Sequence, residues 1–323
     1  MKAFSVRLLV VAVLAVVLSG CAGKAVIGWP RPEGRLSDPY LLAEVPFYPQ
    51  KVHQCGPAAL AMALNWSGVS VFPRDLTDTV FTPSRKGSLQ SAMVAAARRY
   101  DRIAFLLAEP ADLIDEIAAG HPVTVLQNLG LSWVPVWHYA VVVGWDAAAG
   151  DVILHSGTTP FKPTAFRTFE RTWVRGGFWG LLVLPPTRMP ATAQETDYLA
   201  AVSPLERMGR WQTALRAYRT ALGRWPDSLA ATVGIGVCLY GLGDLAAAEV
   251  HLRAAIEHFP GEGVLFNNLA QVLLDQGRRD EALLAVRQAI ACGGPFKAHF
   301  EQTLEEIVKK ALAHAPKEGT IAF

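Results

Sequence analysis

The sequence predicts two domains: an α+β domain with an antiparallel sheet, followed by an all-α solenoid of helix pairs. In the first half, three segments with helical character precede several short apolar segments that have the pattern of antiparallel strands. Beyond Pro185 and Pro186 the pattern becomes wholly helical, and similar residues return every 34 positions. A length of 323 residues is also typical of two domains.

Residues 1–20 have the features of a secretory signal. Lys2 and Arg7 precede an 11-residue apolar run, which is shorter than a typical transmembrane helix. The run ends in Leu18-Ser19-Gly20-Cys21, which resembles the lipobox of bacterial lipoproteins. That resemblance implies a lipid on Cys21 and, because Ala22 follows, an outer-membrane protein facing the periplasm. A plain signal peptide or an uncleaved anchor is the alternative.

The first domain is expected over residues 44–186, after a Pro- and Gly-containing tether at 21–43. Helical segments come first, and Gly120 stands where a helix usually ends. A β-hairpin is indicated by two apolar segments that flank a turn-like DAAAGD sequence. The expected elements are a helix starting at Cys55, helices at 89–100 and 111–119, and strands at 122–129, 138–145, 152–156 and 178–184.

The second half repeats with a period of 34 residues. The recurring small residues are Gly209, Gly243 and Gly277, then Ala214, Ala248 and Ala282, then Ala221, Ala255 and Ala289. This pattern resembles the tetratricopeptide repeat, in which small residues lie where helices touch. It implies three repeats at 196–295 that bind a protein partner, after a Pro-rich linker at 187–195. A capping helix is expected at 296–314 and a tail at 315–323.

Composition argues against several classes of partner. Removing Lys2 and Arg7 lowers the formal net charge from +2 to zero, so no excess of positive charge indicates that the protein binds nucleic acid. Cys55, His138 and His155 lack the close spacing that is typical of a zinc site. A glycine-rich phosphate loop is also missing from the sequence. We therefore expect no metal and no cofactor.

Cys55 is the candidate nucleophile. It opens an apolar helix whose Pro57 suits the first turn, and a thiol at a helix N-terminus is favoured as thiolate. With Cys21 on lipid, an odd number of cysteines remains, and Cys238 and Cys292 fall in the helical repeats. The alternative is that Cys55 is a small buried apolar residue.

His138 is the candidate base for this thiol. It stands at the head of a long apolar strand, far enough from Cys55 in sequence for a sheet to face the helix. An exposed strand-end histidine without function is the alternative. We expect His121, at the start of another strand, to be a surface residue.

Two motifs carry a family resemblance over residues 42–186. Gln50 with Cys55-Gly56-Pro57-Ala58-Ala59, and the later segment from His138 to Gly144, follow the order of papain-fold peptidases. They are most similar to the bacteriocin-processing peptidases that act on double-glycine leaders. The resemblance implies that Cys55 is the nucleophile, His138 the general base and then acid, and Gln50 a donor to the oxyanion. Gln54 is a weaker candidate for the donor.

The third catalytic residue departs from that family. The family places an Asp on the partner strand about sixteen residues after the histidine, but this region reads Leu154-His155-Ser156-Gly157-Thr158. Ser156 best matches the position and would orient the imidazole of His138 without charge, and His155 is the alternative. Asp146 lies too near the hairpin tip, about 26 Å along the strand at ~3.3 Å per residue.

The sequence therefore predicts a lipid-anchored cysteine peptidase that acts on a peptide or protein substrate in the periplasm. Its repeats would bind a substrate or another protein partner, and Cys21 would hold the chain at the membrane. Two alternatives stay open: a peptide-binding lipoprotein without catalysis, and a Cys/His acyl or amide transferase.

Overall fold

The computed structural model of the chain describes residues 39–50 and 53–313. The predicted signal peptide, the lipobox cysteine and most of the predicted tether lie outside these residues, as does the predicted tail. Within the described ranges, no helix combines the length and the apolar character needed to cross a membrane.

An antiparallel sheet organises the first domain. Its hydrogen-bonded order is β4-β9-β5-β6-β7-β8, and β1 pairs with the far end of β6 through Tyr40↔Trp145 and Leu41↔Gly144. The sheet therefore begins before residue 44, inside the segment expected to be a tether. The strands are β1 Tyr40–Leu41, β2 Phe81–Thr82, β3 Gly87–Ser88, β4 Ile103–Leu106, β5 Val123–Asn128, β6 Trp137–Asp146, β7 Asp151–Ser156, β8 Thr159–Ala165 and β9 Gly180–Leu184. The ribbon β2–β3 is separate from this sheet.

Helix α1 is the buried helix of this domain. Every residue from Gly56 to Leu64 is buried, and the helix packs against β6 on one side and against α2 and α3 on the other. Burying Leu60, Met62 or Leu64 stabilises the fold by about 1.5–3 kcal/mol each. The helices of this domain are α1 Cys55–Trp66, α2 Pro73–Val80, α3 Gln90–Arg99, α4 Asp112–Ala118 and α5 Phe166–Val174.

The α+β prediction is confirmed, although the sequence analysis did not assign α2, α5, β4 or β8. Helix α2 starts at Pro73, and the Asp75 carboxylate accepts a hydrogen bond from Phe72 N at 2.9 Å. Strand β8 lies at the sheet edge with most of its side chains exposed, so it lacks the apolar alternation that would indicate a strand.

The second domain is a stack of antiparallel helix pairs, as the 34-residue period predicts. Gly209, Gly243 and Gly277 adopt φ of +70°, +77° and +80° between the two helices of their pairs, a conformation that favours glycine. The recurring alanines are buried where the helices touch. The helices are α6 Glu195–Arg207, α7 Trp211–Arg224, α8 Leu229–Gly241, α9 Leu245–His258, α10 Gly263–Asp275, α11 Arg279–Cys292 and α12 Lys297–Ala313.

The two domains are in contact through the first repeat. Helix α6 packs against β4, and Thr213 Oγ1 donates to Asp101 at 3.1 Å. The linker follows the surface of α7, where Thr220 Oγ1 donates to Pro186 O at 2.9 Å and Arg224 donates to Pro190 O at 3.2 Å. The Pro-rich segment is therefore held against α7 over part of its length.

His121 is buried, and the expectation of a surface residue is wrong. Its Nδ1 lies 2.6 Å from Glu116 Oε2, and Glu116 itself is fully buried at the end of α4. Thr192, in the linker, donates its N–H and its hydroxyl to Glu116 Oε1 at 2.8 and 2.7 Å. Burial by itself raises the pKa of Glu116, but the hydrogen bonds from His121 and Thr192 outweigh burial and hold this pKa below its usual value.

We expect Glu116→Gln to lower the free energy of unfolding at pH 7 by about 3 kcal/mol, because the change removes a buried carboxylate that holds charge-assisted hydrogen bonds with His121 and Thr192. The lowered pKa means that the stabilisation is complete above the usual Glu pKa of about 4.3 and is lost as the pH falls through the folded-state value. Urea unfolding at pH 7 and at decreasing pH measures both effects. Asp115→Asn, an exposed change on the same helix, is the control, and equal losses in the two variants would contradict the expectation.

Candidate active site

Cys55 is the first residue of α1, and its thiol is half-buried and free. The N-terminus of the helix lies close to strand β3: a Cβ on Gly56 would lie 2.2 Å from Ser88 Oγ. Glycine after the cysteine is therefore a packing requirement, since it lets the thiol-bearing turn approach β3. The position at the N-terminus places the positive end of the helix dipole at the sulfur.

His138 is the second residue of β6, with Gln127 of β5 opposite it. Its Nε2 lies 2.9 Å from the hydroxyl of Ser156, which is buried at the end of β7. The structure thus brings together the predicted base and the residue predicted to orient it.

His155, the alternative orienting residue, is engaged elsewhere. Its Nε2 donates to Val45 O at 3.0 Å, and its Nδ1 accepts a hydrogen bond from Phe161 N at 3.1 Å. The ring is fully buried and has neither nitrogen available for His138. Asp146 accepts a hydrogen bond from Ala149 N at 2.9 Å in the hairpin turn, which agrees with its exclusion on distance.

Gln50 joins the segment before α1 to the sheet. Its Nε2 donates to Tyr139 O at 3.1 Å, and its Oε1 accepts from Gly157 N at 3.1 Å. One N–H of this amide is thereby used, and an amide nitrogen has a second. Gln54 is held through its other atom, because its Oε1 accepts from Thr77 Oγ1 at 3.2 Å. Among the described residues, each of these two amides has at least one N–H that donates to no other group.

Tyr139 joins β6 to β3 beside the start of α1, and sequence reasoning missed it. It follows His138 directly in β6, its hydroxyl donates to Ser88 O at 3.1 Å, and Ser88 abuts Gly56. Burial raises the pKa of Tyr139, and the charge of the nearby Cys55 raises it further. Strand alternation could have indicated this residue, because it turns the side chain after His138 to the other side of β6.

Among the described residues, no hydrogen bond joins Cys55 Sγ to the imidazole of His138. Their elements pack together, since α1 lies against β6. Catalytic hydrogen bonds are often long without substrate and shorten when it binds. The described residues also contain no group of His, Cys, Asp or Glu side chains suited to a metal ion.

Two family models match separate parts of the chain. The model of the Peptidase_C39 like family matches residues 42–179, and a tetratricopeptide repeat model matches residues 199–263. The chain carries a C39-like peptidase domain followed by tetratricopeptide repeats. No curated protein matches the sequence.

Solved structures are also similar to parts of the chain. A Bacillus anthracis protein described as a C39-like peptidase is 19% identical, over 46% of this chain and 98% of its own, with a TM-score of 0.39. The peptidase domain of Streptococcus ComA is 19% identical, over 44% of this chain and 98% of its own, with a TM-score of 0.36. The Yersinia enterocolitica type III secretion translocator chaperone SycD is 19% identical, over 36% of this chain and 93% of its own, with a TM-score of 0.33.

The imidazole of His138 in the C39-like domain is neutral at physiological pH. Burial lowers its pKa to about 4, and the positive charge of Lys162 adds to the effect. When Nε2 carries the hydrogen it donates to Ser156, and Nδ1 is then free to accept a proton. The serine hydroxyl orients the ring but supplies no negative charge to stabilise an imidazolium.

We expect Ser156→Asp to raise the pKa of His138 by about one to three pH units, because a carboxylate beside the ring favours its charged form. NMR titration of the His138 ring in the folded variant measures this value. Ser156→Asn has a similar shape without the charge, and with it the pKa should stay near 4, where burial places it. Equal pKa values in the two variants would show that Ser156 does not control the protonation of His138.

Proposed function

We propose that the chain is a cysteine peptidase that hydrolyses peptide bonds in a peptide or protein substrate. The observation that carries the proposal is the free Cys55 at the start of α1, beside a strand whose His138 is hydrogen bonded to Ser156. A nucleophile, a base and a group that orients the base are the parts that thiol catalysis needs.

The reaction follows from these groups. Nδ1 of His138 takes the proton of the Cys55 thiol as the sulfur attacks the scissile carbonyl carbon. The oxyanion that forms accepts hydrogen bonds from the free amide N–H of Gln50 or Gln54, and each such donor contributes ~3 kcal/mol. The protonated His138 then gives its proton to the leaving amine as the C–N bond breaks. Water activated by neutral His138 hydrolyses the thioester and regenerates the thiol.

Cleavage should require Cys55 and a neutral His138. We expect Cys55→Ala to abolish hydrolysis of a fluorogenic peptide library, whereas Cys292→Ala, which removes an exposed thiol in the repeats, should cleave like the wild type. As the pH is lowered, kcat/KM should stay high until about pH 4 and then fall, because His138 becomes protonated, and so loses its base function, only below its lowered pKa. Measuring kcat/KM across this pH range checks the expectation.

Hydrolysis that persists in Cys55→Ala would exclude the thiol mechanism. The uncharged Ser156 favours a second candidate, a domain that binds a peptide without cutting it, because the imidazolium formed during catalysis has no carboxylate beside it. In that case the wild type and Cys55→Ala would retain the same peptides and release no products. Transfer of the acyl group to an amine in place of water, the third candidate, would appear as a new amide among the products.

The repeats are proposed to bind a protein partner or part of the substrate. Stacked helix pairs form an extended concave surface that accommodates a peptide or a helix. If this is correct, cross-links between Cys55→Ala protein and the captured polypeptide will include residues 195–292. Cross-links confined to the C39-like domain would assign the repeats a different role.

We further propose that Cys21 carries a lipid that holds the chain at the outer membrane, facing the periplasm. The support is the lipobox-like sequence that ends at Cys21. Cells fed an alkyne analogue of palmitate should label the wild-type chain, and Cys21→Ser should lose the label. Cys292→Ser serves as the matched control, and label that remains in Cys21→Ser would contradict the lipid assignment.

A further inference from the structure

Residues 129–137, the connection between β5 and β6 together with the first residue of β6, present an exposed apolar surface and are called loop 129–137. It contains no charged residue, and its only side-chain hydroxyl belongs to Ser132. Trp133, at the tip of a tight turn, is 77% exposed. The exposed large apolar residues of the loop are Leu129, Leu131, Trp133, Val134, Val136 and Trp137. Such a cluster on one short segment indicates a binding surface, unlike apolar residues scattered singly.

Four backbone N–H groups of this loop are hydrogen bonded within it or to Asn128 at its base. Leu129 N donates to Val136 O at 2.8 Å, and Val134 N donates to Leu131 O at 3.2 Å. The side chain of Asn128 accepts from Gly130 N at 3.0 Å and from Val136 N at 2.9 Å. The loop is thus a defined structure that holds its apolar side chains outward.

Gly130 shows how closely this loop is folded. A Cβ at this position would lie 2.3 Å from Val134 O, so a larger residue would force the two sides of the loop apart. The close approach of the two sides of the loop therefore fixes the backbone conformation that presents the apolar side chains.

A row of arginines borders the loop. Arg167, Arg171 and Arg175 follow one another at intervals of four residues along α5 and its end, and the first two are exposed. Arg175 donates from Nε and Nη2 to Asn128 O at 3.1 and 2.9 Å, which ties this row to the base of the loop. Residues four apart lie on the same face of a helix. The acidic residue of α5, Glu170, is buried.

We propose that loop 129–137 enters the surface of an anionic lipid bilayer, with Arg167 and Arg171 against the lipid headgroups. An apolar phase accepts backbone more readily where its hydrogen bonds are made internally, and the N–H groups of Leu129, Gly130, Val134 and Val136 are paired in this way. Tryptophan favours the membrane–water interface, and arginines beside an apolar segment favour anionic lipids. A peptide that added a strand here would need free backbone donors, but several N–H groups of the loop are already used.

The position of the loop links this contact to the proposed reaction. Trp137 precedes His138 directly, so a membrane-bound loop would hold the Cys55 site at the bilayer surface, where a substrate attached to or lying on the membrane is accessible. Cys21 lies 18 residues before residue 39, a span of up to about 60 Å when extended, so a lipid there is compatible with the loop reaching the same bilayer. The loop contact itself requires no lipid on Cys21.

Flotation of the full chain with vesicles tests the proposal. The vesicles are phosphatidylcholine alone or phosphatidylcholine with phosphatidylglycerol. Leu131→Ser combined with Trp133→Ser should weaken binding by about tenfold or more, because two apolar side chains leave the interface. Val250→Ser with Leu284→Ser, which changes two exposed apolar residues on the repeats, is the matched control and should bind like the wild type. Both double variants share the N-terminal apolar run, so the difference between them reports on the loop.

Three further measurements separate the contributions of the arginines, of the loop and of the proposed peptidase activity. Arg167→Gln and Arg171→Gln should each weaken binding to the anionic vesicles roughly fivefold and leave binding to neutral vesicles unchanged. Hydrogen exchange of residues 131–133 in the wild type should slow when anionic vesicles are added. Cleavage of a soluble peptide by Leu131→Ser/Trp133→Ser should match the wild type, which distinguishes failure of membrane contact from failure of the proposed peptidase function.

The proposal is overturned if the loop variant floats like the wild type and vesicles leave the exchange of the loop unchanged. It is also overturned if the wild type self-associates in sedimentation experiments, the loop variant does not, and vesicle binding is the same in both. The second result would make the loop an interface between two copies of the chain.

Discussion

The packing of α1 against β6 is the contact on which the candidate site depends. It buries the helix from Gly56 to Leu64, so the first turn can shift only if the apolar interior of the domain is disrupted. Gly56 lets that turn approach Ser88, and Ser88 accepts a hydrogen bond from Tyr139 of β6. The start of the helix and the strand that carries His138 are thus held together through residues that take no part in bond breaking.

The electrostatics of the site differ from those of a thiolate–imidazolium pair. His138 is buried enough to be neutral, and Ser156 fixes one of its nitrogens by a hydrogen bond without contributing charge. In the proposed reaction, such an imidazole would accept a proton from the thiol and would not hold one beforehand. Glu116, a buried carboxylate of the domain, has a different role: it binds His121 and Thr192, so it fastens the C39-like domain to the linker.

Much of the fold was predictable from the sequence because it follows from periodicity. The 34-residue spacing identifies the helix pairs, since only glycine readily takes the left-handed turn that ends the first helix of each pair. Cys55, Gln50 and His138 were predicted from their motifs, and Ser156 from its position relative to the base. The edge strand β8 was not, because its mostly exposed side chains carry little apolar alternation. Helix α5 was also missed, although Phe166, Phe169 and Trp173 are buried at helical spacing.

The sequence alone thus determined the order of the domains, the repeat and the residues with the right chemistry, because these depend on local pattern and residue type. Tertiary structure decided what each side chain contacts. It buried His121 with Glu116, directed both nitrogens of His155 to backbone atoms, and placed the hydroxyl of Tyr139 against Ser88 near the start of α1. It also showed that the apolar residues before His138 lie on the surface. These outcomes depend on strand register and on the approach of segments far apart in the chain, which no local pattern specifies.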